Sequence, residues 1–286
     1  MNLKELLQYF REALSGIYDE QETAAIFDLL VAHVSGFSSR ELLLKGISTE
    51  VQDEFTLLNY LSELKQGKPV QYVVGETVFY GMRFLLDANV LIPRPETEEL
   101  VEWVIESCRD SGSATIIDIG TGSGCIAVSL KKHIAGSMVM GLDISQAALK
   151  IALSNAALNK VEVNFVQANV LDPDFSVQDG AMKFDVIVSN PPYITPSEKA
   201  QMHQNVMDHE PHLALFVTEE RPLVFYEAIA DFAKTQLKKQ GLLFFEINEH
   251  LAKETVQMLA DKTFINIEIR KDMQGKDRMI RCSLAV

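Results

Sequence analysis

The chain is predicted to be an α/β protein, with a mostly parallel sheet flanked by helices on both faces and closed by an antiparallel C-terminal edge. A small N-terminal helical bundle and a bridging β-hairpin precede the sheet. Three observations carry this. From Thr115 onward, short β-branched apolar runs alternate with amphipathic segments, the pattern of repeated βα units. Before Gly67 the apolar residues recur only at helical spacing. Three glycines, Gly120, Gly122 and Gly124, directly follow the first strand-like run and open an amphipathic segment. A hydrophobic fraction of 47% over 286 residues suffices for two packed domains of unequal size.

In chain order, Leu3, Leu7, Phe10 and Leu14, with Leu6 beside them, form one apolar helix face. Ser38-Ser39-Arg40-Glu41 reads as a capping box before Leu42-Leu43-Leu44, with Gly36 and Gly46 at positions that suit helix ends. Val51, Phe55, Leu58 and Leu61 form a further stripe before Gly67 and Pro69. Val70 to Val74, Glu76 to Phe79 and Met82 to Leu86, punctuated by Gly75 and Tyr80-Gly81, read as the bridging hairpin. Pro93 and Pro95 then stiffen the approach to a helix running through Cys108. The expected organisation is a helical bundle at 1–68, a hairpin and linker at 69–95, and the main domain at 96–286.

Within that domain the strands are expected at Ala114 to Ile119, Met138 to Leu142, Val163 to Gln167, Phe184 to Ser189 and Leu242 to Ile247. Gln146 to Leu158 and Leu223 to Leu237 are helical between them. Thr263 to Arg270 and Met279 to Val286 flank the turn-like Gln274-Gly275-Lys276-Asp277 and supply the antiparallel edge.

The net charge of −14 opposes a long footprint on DNA or RNA, so no direct nucleic-acid partner is expected. Cys108, Cys125 and Cys282 are far apart and in no metal-ligand spacing, which predicts reduced buried thiols and a cytoplasmic location. Lys4, Glu5, Arg11 and Glu12 interrupt any secretory h-region, and no apolar run is long enough for a membrane span. His203, His209 and His212 lie near Asp208 and Glu210, but the spacing matches no ligand motif and no metal is expected. A monomer is expected.

In Asp118-Ile119-Gly120-Thr121-Gly122-Ser123-Gly124 the glycines allow a sharp turn and let a ligand approach without meeting a Cβ. Cys125 departs from the dinucleotide fingerprint, which wants a small residue there. Asp143 ends the next strand and can accept both hydroxyls of a ribose. A nucleoside-containing ligand follows, with NAD and S-adenosylmethionine in competition.

The strand Phe184 to Ser189 stops at Asn190-Pro191-Pro192-Tyr193. Each proline forces its predecessor away from the α region, which predicts an extended loop with exposed carbonyls beyond the carboxyl end of the sheet. An NH₂ group on an sp² carbon is a poor nucleophile. If Asn190 Oδ1 and the Pro191 carbonyl accept its two hydrogens, its nitrogen can be aimed at an electrophilic methyl. Tyr193 can stack on the planar group and exclude water. Asn190, Pro191 and Tyr193 are therefore the candidate catalytic residues, and Pro192 completes the substrate loop.

These two motifs resemble the class I amino methyltransferases, whose sheet is Rossmann-like and which act on adenine N6 or glutamine N5. Further segments resemble the peptide chain release factor glutamine N5-methyltransferases, the PrmC/HemK family. They are Phe79-Tyr80-Gly81, Leu91-Ile92-Pro93-Arg94-Pro95-Glu96-Thr97-Glu98, Glu210-Pro211-His212-Leu213-Ala214-Leu215 and Lys271-Asp272-Met273-Gln274-Gly275-Lys276-Asp277-Arg278. The resemblance spans nearly the whole chain. It implies S-adenosyl-L-methionine as cofactor, S-adenosyl-L-homocysteine as product, and class I release factors as protein partners. It further implies that Asp118, Gly120, Thr121, Gly122, Ser123 and Gly124 form the methionine side of the cofactor site, and that Asp143 holds the ribose. Asn169 and Val170 border the adenine, where the family often has an aromatic at the valine position, and Asn190 faces both cofactor and substrate. Asn248 stands where the family has a glycine. The competing reading is an adenine-N6 methyltransferase acting on DNA or RNA, which would need base flipping and a basic channel. A cofactor-sensing binding protein and a nicotinamide dehydrogenase are the other classes weighed.

Overall fold

The computed structural model describes residues 1–36, 53–109, 113–172, 175, 177, 182–201 and 204–285. They fall into two compact units, residues 1–76 with 203–209, and residues 77–202 with 210–286.

The first unit contains α1 (Leu3–Leu14), α2 (Glu20–Ser35), α3 (Glu54–Leu64) and α4 (Val70–Val74), with a short helix at Gln204–His209. Each of the first three helices starts on a side chain that accepts from its own first turn: Asn2 in a capping box with Glu5, Asp19 on Glu22, and Asp53 on Thr56. Gly36 ends α2 in the left-handed conformation, at φ +69. Leu6, Phe10 and Leu14 pack with Phe27, Leu30, Leu57 and Leu61 into one apolar core, in which the rings of Phe10 and Phe27 meet edge to face at 5.1 Å. The expected capping box at Ser38 to Glu41, the leucines that follow it, Gly46 and Val51 lie outside the described residues.

Two expectations in this unit need correction. The buried stripe of α3 is Leu57, Leu61 and Leu64, while Phe55 is 75% exposed. Asp53 caps the helix through Thr56 N, and that start puts Leu57, Leu61 and Leu64 on the inward face. Val70 to Val74 is helical, with no place in the hairpin. Pro69 precedes its first turn and Gly75, at φ +75, closes it through an N–H to Gln71 O. Burial of Tyr72 and Val73 overrides the β preference of the valines.

From Thr77 the second unit carries the hairpin of β1 (Glu76–Phe79) and β2 (Met82–Leu85), turned by Tyr80 and Gly81, both at positive φ. Its helices are α5 (Pro95–Cys108), α6 (Cys125–His133), α7 (Gln146–Leu158), α8 (Val224–Gln236) and α9 (Ala252–Asp261). The sheet strands are β3 (Thr115–Ile119), β4 (Met138–Asp143), β5 (Asn164–Gln167), β6 (Phe184–Ser189), β7 (Leu237–Glu246), β8 (Phe264–Lys271) and β9 (Asp277–Leu284). They lie in the order β5-β4-β3-β6-β7-β9-β8, parallel as far as β7 and antiparallel through β9. Strand β7 starts at Leu237, earlier than the expected Leu242, because its first residues pair with Phe184 across a bulge.

Register positions the site. Ile119 sits opposite Leu142 on one side and Ser189 on the other, so β3, β4 and β6 finish level. Every residue of β3 is buried, as a central parallel strand covered on both faces requires. One face packs Leu100, Trp103, Val128 and Phe244; the other packs Ile117, Ile187, Tyr226 and Phe245. All three cysteines are buried and outside any disulfide. Among the described residues, no helix is long and apolar enough to cross a membrane.

Trp103 is fully buried, meets Phe244 edge to face at 5.5 Å, and carries the Arg270 guanidinium 4.2 Å from its ring. Trp103→Ala should lower the unfolding free energy by about 3–5 kcal/mol, measured by urea denaturation with far-UV circular dichroism. An unchanged midpoint would mean that this face is not the packed core described.

Candidate active site

Because β3, β4 and β6 end together, the glycine loop, Asp143 and Asn190 emerge side by side at the carboxyl edge of the sheet. The loop is tied down at several points. Gly120 N and Thr121 N both donate to Leu142 O, at 2.7 and 2.9 Å, and Gly122 N donates to Asp143 Oδ2 at 2.8 Å. Gly120, Gly122 and Gly124 all adopt positive φ. A Cβ on Gly120 or Gly122 would meet no atom within 4 Å, whereas one on Gly124 would sit 3.0 Å from Ala152 Cβ. The first two glycines thus leave an open cradle, and the third permits α7 to approach closely. Asn155, buried on α7, donates to Ser123 O at 2.9 Å and Leu85 O at 3.0 Å, and accepts from Leu85 N. Gly141 serves the same packing from below, since a Cβ there would lie 2.6 Å from the Phe165 ring.

Two carboxylates shape this end. Asp143 Oδ1 accepts from Ser145 N at 2.8 Å while Oδ2 takes Gly122 N. Burial raises its pKa, and those backbone donors oppose the rise. Asp118 lies beneath the loop at 0% exposure, where Oδ2 accepts from Thr121 Oγ1 at 2.6 Å and the carboxylate also faces the Ala127 N–H in the first turn of α6. Burial pushes its pKa up to about 7, with Asp143 adding to the rise and the Thr121 hydroxyl opposing it.

At the end of β6, Ser189 Oγ donates to Ile119 O at 2.6 Å and fixes the strand just before Asn190. Asn190 Nδ2 lies 3.2 Å from Thr97 Oγ1, and that hydroxyl donates to Glu246 Oε2 at 2.6 Å. The Tyr193 hydroxyl reaches Glu246 Oε1 at 3.4 Å. Glu246 is 1% exposed; burial raises its pKa, opposed by the Thr97 hydrogen bond and by Arg278, which Asp272 holds at 3.1 Å. Asn248 Nδ2 donates to Tyr193 O at 3.2 Å and to Glu198 Oε1 at 2.9 Å. The residue set apart as a departure from the family pattern therefore braces the proline loop directly. Opposite, Glu210 accepts from Arg94 at 2.5 Å and from Ile92 N at 3.3 Å, joining the segments before Pro93 and after Glu210.

Together these segments enclose a cavity of about 330 Å³. Of the residues singled out in the sequence, Gly120, Gly122, Asp143, Asn169, Val170, Asn190, Pro191 and Pro192 line it. Asp118, Thr121, Ser123 and Gly124 support the loop and are not among its lining, and neither is Tyr193, which packs against the core around Ile187 and Tyr226. Leu91 and Leu213, from two of the segments that carry the resemblance, add apolar wall, and so do Val90, Ile144, Leu171 and Phe225, which no motif announced. Of the loosely grouped histidines, His209 Nε2 meets Gln66 O at 3.2 Å and His212 packs edge-on against Phe216, while His203 lies outside the described residues. An open glycine cradle, a carboxylate beside it and an apolar slot of this size fit a ligand with a sugar and a flat base.

The chain is similar to known proteins along nearly its whole length. The Methyltransferase small domain family matches residues 98–214, and the PrmC N-terminal domain family matches residues 5–75. The chain is 43% identical to the release factor glutamine methyltransferase of Flavobacterium psychrophilum, over 98% of this chain and 99% of that one. It is 37% identical to the one from Bacteroides thetaiotaomicron, over 97% and 99%. Among solved structures, the 16S rRNA N2 G1207 methyltransferase of Thermus thermophilus, in complex with AdoMet and guanosine, aligns with a TM-score of 0.52. It is 18% identical, over 73% of this chain and 50% of that one, a likeness of fold.

The buried Asp118 yields a prediction about pH. Its folded pKa lies above the unfolded value, so the native state holds the extra proton, and stability falls as pH rises from about 4 to about 7. Asp118→Asn should remove that part of the fall, on the order of 1 kcal/mol per pH unit, in thermal melts across this range. Parallel profiles for the two proteins would contradict the assignment.

Proposed function

The chain belongs to the release factor glutamine methyltransferase family, and from that premise we propose how its residues perform the reaction. It is an S-adenosylmethionine-dependent methyltransferase that modifies the side-chain amide nitrogen of the glutamine in the Gly-Gly-Gln motif of class I release factors. The observation that carries the reading is Asn190, which lines the cavity two segments from the glycine cradle with its Nδ2 end held by Thr97.

In this reading Gly120 and Gly122 admit the methionine part of the cofactor against their bare backbone, and Asp143 accepts from the ribose hydroxyls. Asn169 and Val170 flank the adenine. Asp118, Thr121, Ser123 and Gly124 act by holding the loop in shape. When bound, the cofactor supplies a sulfonium methyl, whose bond to sulfur breaks as its bond to nitrogen forms, leaving S-adenosylhomocysteine and a nitrogen that sheds one proton.

Asn190 Oδ1 and the Pro191 carbonyl accept the two amide hydrogens of the substrate glutamine and so orient its nitrogen. Pro192 keeps those acceptors in place. The Tyr193 hydroxyl is committed to Glu246 and its backbone carbonyl to Asn248, so its part is to stiffen the loop and exclude water. Residues 1–68 supply a second contact to the release factor, 69–95 link, and 96–286 carry the chemistry. A cytoplasmic monomer working without nucleic acid or membrane suits the net charge of −14 and the buried thiols.

Labelled methyl transfer from S-adenosylmethionine should appear on intact release factor and be absent from a factor carrying Gly-Gly-Ala and from duplex DNA. Label on the DNA would favour the adenine reading instead. Asn190→Ala should reduce kcat about 10²–10³-fold, as loss of one preorganised partner does. Asp143→Ala should weaken binding of S-adenosylhomocysteine about tenfold or more by calorimetry. Unchanged affinity would remove Asp143 from the cofactor site.

A further inference from the structure

One chain of buried hydrogen bonds ends on the cavity. Glu246, at the end of β7, accepts from Thr97 Oγ1 at 2.6 Å. Thr97, 2% exposed in the first turn of α5, has the same oxygen 3.2 Å from Asn190 Nδ2. A threonine hydroxyl has one proton and two lone pairs, and here the proton is directed at Glu246 Oε2. With the proton committed to Glu246, Thr97 Oγ1 can only accept, and Asn190 can donate only from its NH₂ end. The carboxamide is thereby fixed in one of its two flips, with nitrogen toward Thr97 and Oδ1 left for the cavity that Asn190 lines.

We propose that Thr97 and Glu246 are positioning residues that lock the Asn190 carboxamide in its acceptor orientation and so make the site selective for an NH₂ group. This rests on Asn190 being the substrate acceptor. Reversing the flip would present two N–H donors to the cavity. A glutamine would then bind through its carbonyl oxygen, with its nitrogen turned away from the methyl. The choice between the two amide ends is set two residues back from the substrate, by the direction in which one hydroxyl proton points. Polar mismatch discriminates strongly in a buried site, because the wrong group leaves donors unpaired. Tyr193 belongs to the same unit: its hydroxyl takes the other oxygen of Glu246, so the carboxylate anchors both ends of the proline loop.

The test compares Thr97→Val, which keeps the shape and removes the hydroxyl, with Thr97→Ser, which restores it. Thr97→Val should lower kcat for methyl transfer to release factor about tenfold or more, with affinity for S-adenosylhomocysteine held within about threefold. Thr97→Ser should recover kcat to within about threefold. A purely structural role would weaken cofactor binding and kcat together. In parallel, ¹⁵N-asparagine labelling reads the Asn190 side-chain amide directly. Its protons should exchange more slowly than those of exposed asparagines in the wild type and Thr97→Ser, and as fast as exposed ones in Thr97→Val.

Wild-type turnover by Thr97→Val would overturn the proposal, and so would a fast-exchanging Asn190 amide in the wild type. A protected amide in a wild-type enzyme that leaves release factor unlabelled would sustain the tether and refute the substrate reading. Should Thr97→Val fail to fold, wild-type exchange and the Thr97→Ser kinetics still decide.

Discussion

Three parallel strands ending level is the constraint on which the rest of the molecule depends. Ile119 pairs with both Leu142 and Ser189, and a shift of one residue in either pairing would turn the following side chains to the opposite face. The loop that begins at Gly120, the carboxylate of Asp143 and the amide of Asn190 are each the first or second residue past that common edge. Their convergence follows from sheet register and needs no long-range adjustment of loops. The hydrogen bonds across the edge, from Gly120 and Thr121 to Leu142 O and from Ser189 Oγ to Ile119 O, then prevent the ends from fraying.

The same edge accumulates buried acids. Asp118 and Glu246 are both almost wholly removed from solvent, and each is held by a threonine hydroxyl. Burying a carboxylate is costly unless donors satisfy it. Glu246 has hydroxyl donors on both oxygens, while Asp118 has the Thr121 hydroxyl and the backbone N–H of Ala127. The acids therefore differ in what they do: Glu246 gives direction to a hydrogen-bond chain, and Asp118 supports the glycine loop against its own tendency to take up a proton.

Much of this was legible in local pattern. The helix at Gln146–Leu158 and the strand at Phe184–Ser189 have the bounds that period and punctuation suggest, and the helix expected to run through Cys108 ends there. The glycine loop and Asn190 to Tyr193 announce themselves because their chemistry is local: positive φ at three glycines and two prolines in a row. Val70–Val74 has a strand-like composition but is helical, because packing against the bundle decides its conformation. Thr97, Glu246 and Asn248 carried no local signal as partners of the proline loop. Thr97 and Glu246 stand 149 residues apart, and Tyr193 and Asn248 stand 55 apart. Gly141 likewise looks like an ordinary strand glycine until the Phe165 ring is placed over it. Only folding brings such pairs together, so periodicity has nothing to say about them.

The account turns on an asparagine that presents an acceptor to an amide nitrogen. The most direct test is a crystal structure, at a resolution that distinguishes nitrogen from oxygen, of the protein with S-adenosylhomocysteine and a glutamine-containing loop of the release factor. The glutamine nitrogen should lie within hydrogen-bond distance of Asn190 Oδ1 and the Pro191 carbonyl, with Asn190 Nδ2 on Thr97. A glutamine bound through its carbonyl oxygen, or an Asn190 amide turned with its nitrogen into the cavity, would contradict it.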